Sequence, residues 1–252
     1  MSEGWRKSIR PRRDAEITAA SLATPDGRSS IDTRPSARRV VPIILAAGAS
    51  TRMGTPKALC DFDGRSCLQL ALDACREAGL ARPIVVLGFW AAEISAHVRL
   101  DAATVRLNDL AHHGQTSSLK VGLRALPARA QAFLLYPVDF PLLTAEDLRP
   151  LLAAWRTRRR DQRIFIPSHA RRRGHPVLFD ATLRGTFLAL DVAAPARAVV
   201  DARADEIVYV EHDTPYVLMD MDTPEDYARC MTEFRLRTMR AHGHDRRPPA
   251  DE

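Results

Sequence analysis

The sequence predicts an α/β fold, a doubly wound and mostly parallel sheet in a single domain. Three observations point there. Apolar runs without polar alternation recur from Val40 onward, as strands buried on both faces require. Segments with apolar residues at helical spacing separate these runs, so that strands and helices alternate. The first run also passes directly into a glycine-bearing loop, and open α/β sheets hold their ligands at such strand ends. With 252 residues and 46% hydrophobic content, the chain has enough apolar matter for a substantial core.

Taken in order, Val40, Val41, Pro42, Ile43 and Ile44 make the first strand, which enters the loop LAAGASTRMGTPK between Leu45 and Lys57. Leu68, Ala71, Leu72 and Cys75 predict a helix over Cys67 to Ala78, stopped by Gly79. Pro83 to Gly88 is the next buried strand, and this βαβ unit makes the first two strands parallel. A helix over Ala91 to Val98, a short strand over Thr104 to Leu107 and a helix over Ser117 to Leu126 follow. Gln131 to Val138 is a further buried strand. Thr144 opens a helix with the capping pattern TAED, and Leu148, Leu151, Leu152 and Trp155 form its apolar stripe. Ile164 to Pro167 and Pro176 to Phe179 read as strands flanking the basic loop HARRRGH. Glu206 to Val210 and Tyr216 to Met219 read as two more, before a terminal helix from Thr223 to about Arg237. This gives a domain over residues 40–238, an arm over 1–39 and a tail over 239–252.

Composition excludes several classes. The net charge of +6 is concentrated in residues 1–39, where nine Arg and Lys meet five acids, leaving +2 for the 200 residues that follow. Neither interleaved aromatics nor a basic helix accompanies that excess, so it reads as a disordered basic arm and no nucleic-acid partner is expected. No apolar run approaches the ~20 residues of a membrane span. The start lacks the apolar stretch of a secretory leader, so the expected location is the cytoplasm. Cys60, Cys67, Cys75 and Cys230 show no metal-ligand spacing and read as reduced thiols.

The chemistry starts at the first loop. Gly48 and Gly54 let backbone N–H groups approach an anion, while Arg52 and Lys57 supply the charge that a triphosphate needs neutralised. The glycine spacing fits neither the P-loop nor the dinucleotide fingerprint, which argues against an ordinary ATPase or a dehydrogenase. Asp139 stands at the end of a buried strand, placed either to cap the helix at Thr144 or to hold Mg²⁺ against phosphates. Asp220 and Asp222, two apart on an extended segment, face one side and can share a cation, or one can cap the following helix. Carboxylates at two strand ends with a cationic loop make a constellation for nucleotidyl transfer, metal and cations stabilising charge that develops on phosphorus.

In chain order, LAAGASTRMGTPK, GQTSSLKVGL, DFP, RRRGHPVLF and DMDTPEDY resemble the MobA-like nucleotidyltransferases, with the molybdenum cofactor cytidylyltransferase branch the closest match. The resemblance spans roughly Val40 to Phe234. It implies a Rossmann-like domain of the nucleotide-diphospho-sugar transferase type. The implied reaction transfers CMP from CTP to the terminal phosphate of molybdopterin, with Mg²⁺ as cofactor and pyrophosphate as leaving group. Leu45, Ala46, Ala47 and Gly48 are then expected at the base and ribose, with Arg52 and Lys57 on the phosphates, and the Ala-Ala-Gly form favours CTP. Asn108, Ser117 and Ser118 are expected beside the nucleotide, although the serines equally suit a helix N-cap. Arg173, Gly174, His175 and Arg197 are expected at the phosphorylated pterin. Catalysis falls to Arg52, Lys57 and Asp139, and the metal to Asp139, Asp220 and Asp222. The implied recipient of the product is a molybdenum hydroxylase. Two departures bear on the acceptor: DFP replaces the family's DQP, and DVAAPAR at Asp191 to Arg197 replaces GDxGAR.

Overall fold

The computed structural model describes residues 36–244, so the expectations for residues 1–35 and 245–252 lie outside it. Strand β1 (Val40–Ala46) is followed by the hairpin β2 (Asp61–Phe62) and β3 (Arg65–Ser66), then α1 (Cys67–Glu77), β4 (Ile84–Leu87), α2 (Ala91–His97) and β5 (Thr104–Leu107). Next come α3 (Gln115–Arg124), β6 (Ala132–Pro137), α4 (Ala145–Arg156), β7 (Ile164–His169), β8 (Arg172–Arg173) and β9 (Val177–Asp180). The chain ends through α5 (Arg184–Ala189), α6 (Arg197–Asp201), β10 (Ile207–Glu211) and α7 (Pro224–His244).

The main sheet runs in the order β10-β7-β9-β6-β1-β4-β5, with β8 paired to β7. Strand β1 is parallel to β4 on one side and to β6 on the other, as the βαβ reading requires. Pairs β4–β5 and β10–β7 are also parallel, whereas β9 runs antiparallel to both β6 and β7. The sheet is therefore mostly parallel, with its order reversing at β1 and β6.

Two apolar layers cover the faces. Along β1, Val40, Ile44 and Ala46 enter one cluster with α1, α4 and Cys230, while Val41, Ile43 and Leu45 enter the other with α3, Phe187 and Val199. That period-2 division of an unbroken apolar run is what a two-sided strand demands. Helix α1 begins where the Ser66 hydroxyl accepts from the amide of Gln69 (3.2 Å) and ends at Gly79, whose φ of 72° only glycine adopts freely. Helix α4 has the expected reciprocal cap, its Thr144 amide donating to Asp147 Oδ2 at 2.7 Å.

Several elements differ from the sequence reading. The segment at Tyr216 to Met219 is a 3-10 turn (Pro215–Leu218) rather than a strand. Pro215 presets its first turn, and the Val217 carbonyl accepts from the amide of His175 instead of joining a ladder. Helices α5 and α6 were not foreseen. Phe187 of α5 stands edge-on to Phe133 and Phe179, contacts worth about 0.5–1.5 kcal/mol each, which fix that short helix to the sheet. Helix α3 begins two residues before Ser117, after Gly114 at φ 91°. Helix α7 continues to His244, past the boundary set at residue 238.

Candidate active site

The reversal of strand order opens a cleft of about 270 Å³ at the carboxyl ends of β1 and β6. Leu45, Ala46, Ala47, Gly48, Arg52 and Lys57 line it from the first loop, Pro137, Val138 and Asp139 from the end of β6, and Ser118 from α3. The Leu45 carbonyl accepts from the amide of Val138 (3.1 Å), and the Asp139 carbonyl accepts from the amide of Met221 (2.9 Å). Three distant stretches of sequence are thereby brought to one edge.

The centre of the cleft is an ion cluster. Lys57 Nζ donates to Asp139 Oδ2 at 3.0 Å and also pairs closely with Asp222, while Arg52 Nη2 reaches the other oxygen of Asp222 at 2.8 Å. Lys57 is only 15% exposed. Burial works against its charge, but the two carboxylates outweigh that and raise its pKa above the usual lysine value. The Lys57 hydrogen bond, opposed by some burial and aided by the fields of Lys57 and Arg52, holds the Asp222 carboxyl below its usual range.

Asp139 caps no helix, since Thr144 and Asp147 cap α4 between themselves. Its Oδ1 is buried without a hydrogen-bond partner, a costly state for a carboxylate oxygen that a bound cation relieves. Asp222 likewise keeps its carboxylate for the cleft, because Asp226 and Thr223 supply the cap of α7. Asp220 is not among the residues that line the cleft, although its carboxyl lies within the fields of Asp139 and Asp222. Burial, opposed by a backbone hydrogen bond and aided by the fields of Asp139 and Asp222, raises the Asp220 carboxyl above its usual value. Among the described residues no three His, Cys, Asp or Glu side chains form a complete metal cage. Asp139 and Asp222, both on Lys57 Nζ, suit instead a cation that completes its shell with phosphates and water.

Asn108 and Ser117 lie behind the cleft wall rather than in it. The Asn108 amide donates to both Ser117 Oγ (2.8 Å) and Ser118 Oγ (2.9 Å), and Ser117 Oγ donates to the Gly114 carbonyl (2.7 Å). These buried bonds hold the start of α3 so that Ser118 faces the cleft.

The four residues expected at the acceptor separate into two places, neither of them lining the cleft. Arg173 donates to Tyr209 Oη and to Asp201, and Arg197 also pairs with Asp201 (2.9 Å), so these two arginines meet on an exposed outer face. Gly174 and His175 join β7 to the Pro215–Leu218 turn. A Cβ on Gly174 would lie 2.3 Å from the Val217 carbonyl oxygen, so only glycine fits. Burial lowers the His175 pKa, opposed by the field of Asp139, so the imidazole is neutral at neutral pH.

Sequence reasoning missed Trp90, Ile94, Ala111 and Gln115, which also line the cleft. Trp90 and Ile94 carry an ordinary core signal at the start of α2. Only the three-dimensional position of the β4 end places them beside the loop.

A cleft at the reversal of a mostly parallel sheet, with two cations and two carboxylates at its centre, fits a protein of the nucleotidyltransferase class. Residues 42–208 match the model of the MobA-like NTP transferase domain, and the chain belongs to that family. It is 36% identical over 117 residues to the bifunctional protein GlmU of Psychrobacter arcticus, which is 44% of this chain and 25% of the relative. The chain thus spans about a quarter of the length of that relative. It is 31% identical over 149 residues to nicotine blue oxidoreductase of Paenarthrobacter nicotinovorans, covering 58% of this chain and 72% of that protein. The fold is similar to the Rv0371c homologue of Mycobacterium sp. strain JC1, with a TM-score of 0.69, 28% identity and coverage of 79% of this chain and 98% of that one. The manganese complex of Rv0371C from Mycobacterium tuberculosis aligns with a TM-score of 0.61 and 26% identity, over 77% and 98% of the two chains.

Proposed function

We propose that this chain transfers CMP from CTP to the terminal phosphate of molybdopterin, releasing pyrophosphate, with Mg²⁺ as cofactor. The observation that carries the reading is the convergence of Lys57 on Asp139 and Asp222, with Arg52 alongside, in the cleft. An acceptor phosphate oxygen forms the new bond to the α-phosphorus of CTP, and the bond to pyrophosphate breaks, its electron pair leaving with pyrophosphate. Such a step asks for fixed positive charge around the phosphates and no nucleophilic side chain. Lys57 enters the reaction protonated, because Asp139 and Asp222 raise its pKa, and Arg52 is sufficiently exposed to swing from Asp222 to an entering phosphate. Asp139 and Asp222 would hold the metal, which when bound supplies Lewis-acid stabilisation of charge developing on the phosphates. The metal in the Rv0371C complex supports a divalent cation in this family fold.

Leu45, Ala46, Ala47 and Gly48 lie against the nucleoside in this reading, and the small Ala46–Ala47 pair favours CTP. Ser118 contacts the nucleotide, with Asn108 and Ser117 supporting it. Arg173 and Arg197 face outward around Asp201, so they receive a pterin phosphate only by releasing that carboxylate. The product passes to a molybdenum hydroxylase in the cytoplasm, and the catalytic unit is the domain over residues 40–238.

Pyrophosphate release from CTP, GTP, ATP and UTP, each with Mg²⁺ and molybdopterin, tests the proposal. Release with CTP and formation of a pterin cytosine dinucleotide are expected. Turnover with another nucleotide or another phosphorylated acceptor replaces the substrate and retains the class. Tight nucleotide binding without turnover on any acceptor leaves a delivery protein for the cofactor. The likeness to nicotine blue oxidoreductase favours one further reading, an oxidoreductase on the same scaffold. Redox turnover of nicotine blue by the chain, with no pyrophosphate released from any nucleoside triphosphate, would establish it in place of the transferase.

A further inference from the structure

Trp90 combines three properties that no other cleft residue shares. Its indole N–H donates to the Ala49 carbonyl at 2.9 Å, its side chain lines the cleft, and it packs against the core beside α2. Ala49 precedes Ser50, which has a φ of 53°, in the left-handed region that a residue with a Cβ enters at a cost of about 1–3 kcal/mol. Such a conformation persists only where neighbours over-determine it. The restraints at Ser50 are its carbonyl, which accepts from the amides of Met53 and Gly54 (both 3.1 Å), its hydroxyl, which accepts from the Lys57 amide (3.1 Å), and the Trp90 bond one residue upstream. The first two lie within the loop itself. Trp90 alone among them ties the loop to the scaffold of another strand.

The scaffold at that point has no slack. Phe89 N–H reaches the Ala47 carbonyl, and a Cβ on Gly88 would sit 2.6 Å from that same oxygen. The β4 end is thus pressed against the loop, and the indole extends the contact to Ala49.

We propose that Trp90 is a positioning residue of the nucleotide site, fixing the turn between Gly48 and Lys57 through the Ala49 carbonyl and forming the apolar wall of the cleft beside the ligand. The proposal rests on the nucleotidyltransferase reading and names a side chain on which triphosphate affinity depends. Trp90→Phe keeps an aromatic ring at the wall of the cleft, smaller than the indole, but has no N–H to give. Binding of CTP with Mg²⁺ is measured by calorimetry in the absence of acceptor, with tryptophan emission followed in the same titration.

Loss of one hydrogen bond that holds a strained loop weakens CTP binding roughly 3–10-fold. The emission change that CTP produces in the unsubstituted chain disappears in Trp90→Phe, while the midpoint of thermal unfolding shifts by less than about 4 °C. A purely structural tryptophan would lower the midpoint and leave affinity and its emission signal unlinked. Unchanged CTP affinity in Trp90→Phe overturns the assignment and leaves the transferase reading standing. Failure of the unsubstituted chain to bind any nucleoside triphosphate overturns both.

Discussion

At the scale of single residues, the cluster of Lys57, Asp139 and Asp222 governs what the site can do. Lys57→Ala removes the cation that both carboxylates share, and triphosphate binding should weaken with turnover falling roughly 10²-fold or more, as when one preorganised donor is lost. Asp139→Asn keeps the shape but discards the charge; turnover should drop below detection while circular dichroism stays native. Full activity in that variant would remove Asp139 from the metal site. The Asp222 carboxyl makes a pH prediction with a definite sign. Its folded-state pKa is depressed, so the stabilisation it gives is complete above the unfolded value of about 3.8 and is lost as pH falls through the lower folded value. Denaturant titrations of the chain and of Asp222→Asn should differ near neutrality and converge in acid below that range. Much of this cluster was legible in the sequence, because cations in a glycine loop and aspartates at apolar-run ends are local patterns. Asp220 is not separable from Asp222 in the sequence, since only the folded chain shows that Asp222 is the one paired with Lys57 and Arg52. Asn108 and Ser117 are expected beside the nucleotide from the resemblance, but in sequence a polar residue at the right spacing looks the same whether it touches a ligand, caps a helix or supports the residue that does.

At the scale of elements, strands and long helices followed from periodicity, and the misses have local causes. The β2–β3 hairpin turns at Asp63 and Gly64, both at positive φ, a pair that signals a two-residue turn but whose flanking strands are only two residues each. The Tyr216 to Met219 run is apolar because Tyr216 and Val217 are buried in the core with Leu218 and Met219 packed against it, not because it joins the sheet. Close approaches between elements are invisible in one dimension. Gly122 of α3 illustrates this: a Cβ there would lie 2.3 Å from Ile43 Cγ2 on β1. Gly122→Ala should raise helix propensity yet destabilise the protein by about 1–3 kcal/mol, because the helix must lift from the sheet. An increase in the thermal midpoint would show that the contact relaxes freely. Arg237 ties α7 to α4 by donating to the Leu142 carbonyl (2.7 Å) and pairing with Asp147 (2.9 Å), with its guanidinium 4.5 Å from the Tyr216 ring centroid. This anchor lies where the sequence pattern of the helix had already begun to fade.

At the scale of the whole molecule, cleft and fold are coupled because the ion cluster joins β1, β6 and the segment entering α7. The Lys57 ammonium occupies the space between two carboxylates, Asp139 Oδ1 is left unpartnered, and Ser50 is held in a strained conformation. The unpartnered Asp139 oxygen is a cost that a bound metal–nucleotide complex can relieve, so the ligand should bind the folded state and raise its stability. At a free concentration of about 100 times its dissociation constant, a ligand adds about 2.7 kcal/mol, which for a chain of this length corresponds to about 5–11 °C in the unfolding midpoint. Neither partner alone should achieve this. The metal without phosphates lacks the ligands that complete its shell, and the triphosphate without metal must force its negative charge against Asp139 and Asp222. Thermal unfolding with CTP alone, Mg²⁺ alone and both together should therefore show a shift with both that clearly exceeds the sum of the separate ones. Additive shifts would mean that the two bind at independent places, and the cluster at Lys57 would then serve to close the cleft rather than to receive the nucleotide.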